Sequence, residues 1–426
     1  MIRLSCPVNQ YHWGKPGAVS TVASLKAADD PTFVFHPDEP YSEYWMGTLP
    51  KGMAMLAGQE KTLARYLAEN PNNAGPKLAA VLKGKFASAE GLSLPFLFKV
   101  LSVNQALSIQ IHPNKAEAEA FHAEDPARFG DANHKPEMAV ALTPFQLLCG
   151  FRPPAQIVGL ISSTPELLEL VGAANLAKLE KVVQSGADSA SAEAKAALKV
   201  CFATLMRQAK PPVQRSLAAL VNRLEASREE AKVEGSLDEL IIRLHSSFPG
   251  DVGCFAPFFL NYFRLKPDEA VFLGPDEPHA FLYGDCMECM ATSDNVIRAG
   301  LTPKFVDSER LLQCLTYRMA EPDDNKFSPF TDPEQPNVTI YDPPIPEFVV
   351  HKLQVSEGLL TVPTLPVCSI LIFIQGSGLV VETESKAEVS RGQVYFVPAE
   401  TEARIQTTAP MIAFRAFTDD KDVDRI

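Results

Sequence analysis

The sequence predicts a mainly β protein with an α-helical insertion. Three observations carry this. Short apolar runs punctuated by Gly, Pro and Asp occur up to about residue 152 and return after residue 250, and short strands with turn residues at regular spacing are the pattern of jelly rolls and barrels. Between them, residues 153–249 shift to Ala, Leu, Glu and Lys, with apolar positions at helical spacing. The composition is 46% hydrophobic and 21% charged over 426 residues, which is that of a globular chain long enough for two or three domains.

In chain order, "EKTLARYLAEN" and "GPKLAAVLKG" read as two helices of the first region. "LPFLFKVLSV" (Leu94–Val103) reads as a buried strand interrupted by one charge, Lys99. In "SIQIHPNK", Ser108, Gln110 and His112 alternate with Ile109 and Ile111, so the three polar groups share one strand face. Pro113 ends that strand and "NKAEAEAFHAED" starts a helix. "NHKPEMAVAL" places Lys135 and Glu137 two apart, again on one face. The insertion has helical periodicity in "TPELLELV", "SAEAKAALKVCFATLMRQA", "PPVQRSLAALVNRLEASREEA" and "SLDELIIRLHSS", several opening on Ser, Thr or Pro. "EAVFLGP", "HAFLYG" and "CMECMATS" follow as three short strands, then a Pro- and Asp-rich linker from Glu321 to Pro346, then "FVVHKLQV", "CSILIFIQGSGLVVE", "GQVYFVPA" and "MIAFRAF". The expected division is a discontinuous β domain of 1–152 and 250–320, a helical insertion of 153–249, and a second β domain of 321–426.

The net charge of −13 and a pI near 5.2 argue against nucleic-acid or anionic-membrane partners, whose binding needs clustered Lys and Arg. A small anionic ligand is compatible with a local basic cluster inside an acidic molecule. No apolar run is long enough to span a bilayer, and "MIRLSCPVNQYHWG" lacks the apolar core of a signal peptide. Eight scattered cysteines read as reduced thiols, so the chain is expected in the cytoplasm. The sequon at Asn337 is then a chance match, and the lone CxxC of Cys286 and Cys289 is neither a redox nor a zinc-finger motif.

The candidate chemistry gathers in four stretches: "SIQIHPNK", "NHKPEMAVAL", "GPDEPHAFLYGD" and "MECMATSDNVIRAGLTPK". Imidazole and carboxylate suit zinc and related ions, and an amide oxygen can complete the shell. Gln110, His112, Glu137 and His279 would supply such a set and leave positions for water or substrate. His12, His122 and His351 read as ordinary side chains. Lys99 inside an apolar strand is either a snorkelling side chain or one that meets an anion. Arg298 follows Asp294 by four residues, the spacing of a structural salt bridge. Gathered basic groups, Lys135 and Lys304 among them, point towards a phosphate, although no Gly-rich phosphate loop is present.

These stretches, together with "YHWG" and "EYWMGTLP", resemble the type I mannose-6-phosphate isomerases, also called phosphomannose isomerases, over nearly the whole chain. The resemblance implies two cupin-type jelly-roll β-barrel domains with an inserted helical domain. It implies Gln110, His112, Glu137 and His279 as ligands of one Zn2+ per chain, Arg298 as the active-site arginine, and Ser108, Lys99, Lys135 and Glu288 lining the pocket. The implied reaction interconverts mannose 6-phosphate and fructose 6-phosphate through a cis-enediol, feeding GDP-mannose supply or mannose catabolism. Glu288, Lys135 or a hydroxide on the metal would move the proton; Arg298 would stabilise oxyanion charge or hold phosphate; Ser108, Lys99 and Lys304 would bind substrate. The chain is expected to work as a monomer, with a metal-free, structural C-terminal barrel. It departs from the family pattern at Phe129 and Phe281, where tyrosines are usual. Two rivals remain: an iron oxygenase using two histidines and a carboxylate, and a module that binds a sugar phosphate without turnover.

Overall fold

The computed structural model describes residues 1–226, 233–381 and 387–426. The end of the predicted helix "PPVQRSLAALVNRLEASREEA", beyond Ala226, and Glu382 at the end of "CSILIFIQGSGLVVE" lie outside the described residues. The first β region is organised by one long strand, His279–Ala291. Its second half pairs with Glu137–Ala141 and Phe96–Val103, and its first half with Ile109–Ile111 and Phe145–Phe151. "HAFLYG" and "CMECMATS", expected as separate strands, are thus two halves of one. The punctuating Gly284 is a bend rather than a break. It sits at φ +119, and a Cβ there would lie 2.6 Å from the Pro144 carbonyl oxygen, so only glycine lets the strand pass from one layer to the other. Cys286 and Cys289, three apart on this strand, fall into different apolar clusters, as opposite strand faces require.

Between the two layers lies an apolar core that includes Leu101, Val103, Ala139, Ala141, Phe145, Phe281 and Cys286. At one end of this core the inward positions turn polar: Lys99 precedes Leu101 by two residues, Glu137 precedes Ala139, and Glu288 follows Cys286. The opposite face of the site strands is apolar as well. Ile109, Ile111, Ile297 and Ala299 join the core of the helical insertion, built from Pro154–Ser162, Pro165–Val171, Ala173–Ser185, Ala192–Met206, Lys210–Ala226 and Leu237–Ser247. The first and third of these were not anticipated. After Pro113, the helix Lys115–Glu124 opens with a capping box in which Asn114 and Glu117 bond each other's backbone, worth about 1 kcal/mol.

The second β region packs an eight-stranded sheet on a four-stranded one, with one apolar cluster between them. The eight-stranded sheet includes Val338–Tyr341, inside the stretch expected as a linker, and Ile2–Ser5 from the N-terminus, which pairs with Val394–Val397. Among the described residues neither β region closes its strand pairing into a ring. All eight cysteines are free. Among the described residues no helix is long and apolar enough to cross a membrane.

Candidate metal centre

His112 follows Ile109–Ile111, Glu137 opens Glu137–Ala141, and His279 opens the long strand. All three are buried. His112 Nε2 stands 3.4 Å from Glu137 Oε1, and His279 Nε2 stands 3.5 Å from Glu137 Oε2. One ligand atom from each residue lies within 4.8 Å of the others. Both Nε2 atoms and Glu137 Oε2 are buried without a hydrogen-bond partner, a costly arrangement unless something is held between them. The far ring nitrogens fix the tautomer: His112 Nδ1 donates to the Asn295 carbonyl at 2.8 Å and His279 Nδ1 to the Glu277 carbonyl at 3.0 Å. Each ring therefore presents its Nε2 lone pair inwards, as metal-binding histidines do. Burial drives the His112 pKa down to about 4, keeping the ring neutral. Burial works to raise the Glu137 carboxyl, but Lys135 and the imidazoles outweigh it and hold it well below the usual range. Two ligands about 2.1 Å from a tetrahedral ion stand about 3.4 Å apart, so the donor set and its spacing fit zinc.

Gln110 pairs directly opposite His279 on one side and Arg298 on the other, so the three side chains share one face. Ser108 Oγ donates to Gln110 Oε1 at 3.5 Å. Lys135 Nζ lies 2.9 Å from Glu137 Oε1. Lys99, the ambiguous lysine, is buried and paired: its Nζ is 2.8 Å from Glu288 Oε2 and 3.9 Å from Glu43 Oε1. Burial opposes its charge, but these carboxylates hold its pKa above the ordinary lysine range. Burial raises the Glu288 pKa against the pull of Lys99. Arg298 is half-buried and has no carboxylate partner among the described residues; Asp294 pairs with Lys51 instead. Lys304 does not join the cluster. It is exposed on the wall of a cavity of about 810 Å³ between the helices and the sheet, which none of the four ligand candidates lines.

Sequence reasoning gave no role to Glu43, Trp45 or Asn295. Trp45 Nε1 donates to Glu43 Oε2 at 2.5 Å and its ring lies under Lys99 Nζ, 5.4 Å away. The signal was present in "EYWM", where Glu43 and Trp45 alternate with the apolar-core residues Tyr44 and Met46.

A sequence profile for the phosphomannose isomerase type I catalytic domain matches residues 1–154, and one for the type I helical insertion domain matches residues 170–260. The mannose-6-phosphate isomerase of Rattus norvegicus is 44% identical over 423 residues, covering 97% of each chain. The chain belongs to the type I phosphomannose isomerase family. The Homo sapiens mannose-6-phosphate isomerase is 42% identical over the same shares of both chains. Among solved structures, a zinc-bound mannose 6-phosphate isomerase superposes with a TM-score of 0.79 at 27% identity, covering 98% of this chain and 99% of that one. The apo form from Salmonella typhimurium gives 0.79 at 28% identity, with the same coverage. The two aromatic departures from the family pattern sit in different surroundings. The Phe281 ring lies 6.4 Å from His279 and packs edge-on against Phe145. Phe129 is fully buried in the helical core beside Phe121, with the Arg310 guanidinium 5.1 Å from its ring. Only the first touches the ligand set.

Proposed function

We propose that this chain interconverts mannose 6-phosphate and fructose 6-phosphate at one zinc ion, held by Gln110, His112, Glu137 and His279. The observation that carries the reading is the convergence of three buried, unpartnered ligand atoms, with Lys135 Nζ 2.9 Å from Glu137 and Arg298 opposite Gln110 in the strand register. When bound, zinc supplies Lewis-acid polarisation of the sugar's carbonyl and neighbouring hydroxyl. Glu288 moves the proton between C2 and C1 on one face of the cis-enediol. Burial raises its pKa, which makes the carboxylate a stronger proton acceptor. Lys99 holds the Glu288 carboxyl in place through their 2.8 Å contact. Lys135, pinned on Glu137, offsets charge at the ligand set. Arg298, free of a carboxylate, stabilises the developing oxyanion, while Ser108, beside Gln110, takes the phosphate. We place the reaction in the cytoplasm, a reading supported by eight free thiols.

The test is a coupled assay for fructose 6-phosphate formed from mannose 6-phosphate, run on zinc-loaded protein, after chelation, and after zinc is restored. Turnover is expected in the first and third. No turnover in zinc-loaded protein refutes the isomerase, and turnover insensitive to the chelator refutes the role of zinc. Glu288→Gln should lower kcat by roughly 10²–10⁴-fold with zinc content unchanged.

A further inference from the structure

Lys135 sits on a segment, residues 131–136, that has no regular secondary structure. The segment's backbone meets the sheet at Pro136, whose carbonyl accepts from the Ala291 N–H at 3.1 Å, and side-chain anchors hold the rest of it. Several anchors belong to the same β region: Asp131 accepts from Ser293 Oγ and the Asp294 N–H, Asn133 Nδ2 donates to the Thr292 carbonyl, and the Asn133 carbonyl accepts from Ser293 and Asn295. A further anchor crosses to the C-terminal β region. His134 Nε2 donates to Glu347 Oε1 at 2.5 Å. The side chain of Glu347 is 2% exposed, its other carboxylate oxygen has no partner, and its own carbonyl accepts from Thr418 Oγ1. Among the described residues this is the one hydrogen bond between the segment and the C-terminal region.

A buried carboxylate that accepts from a single ring nitrogen fixes where that ring sits. We infer that Glu347 is a positioning residue for the isomerase site, acting through His134 to set the place of Lys135 against Glu137. The C-terminal β region is then part of the catalytic apparatus and not only a structural companion to it. The inference rests on the isomerase reading above.

The test uses zinc-loaded full-length protein. Glu347→Leu and His134→Leu should each lower kcat about ten-fold, the scale of a sub-ångström misplacement of a catalytic group. KM should stay within about two-fold, zinc content should be unchanged, and amide exchange in residues 131–136 should be faster. Glu347→Gln, which keeps an acceptor for His134, should retain most of the wild-type kcat. Lys352→Met cuts the 2.8 Å Lys352–Asp268 contact between the same two regions and should leave kcat unchanged. Wild-type kcat in both leucine variants overturns the inference, as does an equal loss in Lys352→Met. Should Glu347→Leu fail to fold, His134→Leu decides from the more exposed side of the pair. If the wild-type protein itself shows no turnover, the isomerase reading falls, and unchanged exchange in the leucine variants then overturns the clamp independently.

Discussion

Lys99→Met is the sharpest test of how the site is held together. The side chains of Lys99 and Glu288 are 8% and 5% exposed and 2.8 Å apart, and Glu43 completes the set at 3.9 Å. With an effective dielectric of about 20, these distances give attractions of about 6 and about 4 kcal/mol. The cost of desolvating three charges offsets most of that sum. Cutting away the shared cation does not return the desolvation cost, because both carboxylates stay buried. The expected loss is therefore that of breaking a buried pair, about 3–5 kcal/mol, against below about 1 kcal/mol for an exposed one. Urea denaturation of the zinc-loaded protein measures it. A second substitution, Glu288→Gln, should recover part of the loss by removing one stranded charge. The pH–rate profile is the companion readout. Burial already raises the Glu288 pKa, and Lys99 is the largest opposing influence, so its removal moves the rising limb to higher pH. A loss below about 1 kcal/mol with an unmoved pH limb would refute the buried ion-pair account.

Three further outcomes follow from the geometry. In metal-free protein, burial holds His112 and His351 near pKa 4 in the folded state, below the unfolded value of about 6.5. The unfolded chain therefore binds protons first as pH falls. Stability should decline from about pH 6.5 towards pH 4, by up to about 3 kcal/mol per histidine, and His112→Gln should flatten that slope in a pH series of urea melts. Phe281→Tyr places a hydroxyl beside His279, where a bond to substrate worth about 0.5–1.5 kcal/mol should raise kcat/KM about two- to ten-fold; an unchanged value would show that the departure is without consequence. Gly284→Ala forces a side chain into φ +119 with its Cβ 2.6 Å from the Pro144 carbonyl oxygen, and should cost more than about 2 kcal/mol in thermal denaturation.

What the sequence made legible was local. The alternation of Ser108, Gln110 and His112, the stop at Pro113, and the Lys135 and Glu137 pair each lie within a few residues, and period and spacing carry them. What it left obscure depends on partners far away in the chain. Lys99 was equally a snorkelling edge residue, because its carboxylate lies 189 residues later. Ile2–Ser5 joins a strand almost four hundred residues away, and nothing in "IRLS" names that partner. Gly284 looked like a strand end because glycine marks both ends and bends, and only the close approach of Pro144 distinguishes them.

The same limit explains why the direction of the Gln110 face was ambiguous. A strand with one polar face usually turns it to water, and the pattern of Ser108 to His112 alone fits that. The deciding fact lies on the other face. Ile109 and Ile111 are buried in the core of the helical insertion, whose helices cover the outside of these strands. With the outside taken, the polar face has to look inwards, where the register sets Gln110 against His279 and Arg298. The insertion thus helps make the metal site without lending it a ligand. By covering the back of the sheet it converts what would be a solvated polar face into the lining of a pocket, and so turns an ordinary alternation into a place where buried donors must find an ion.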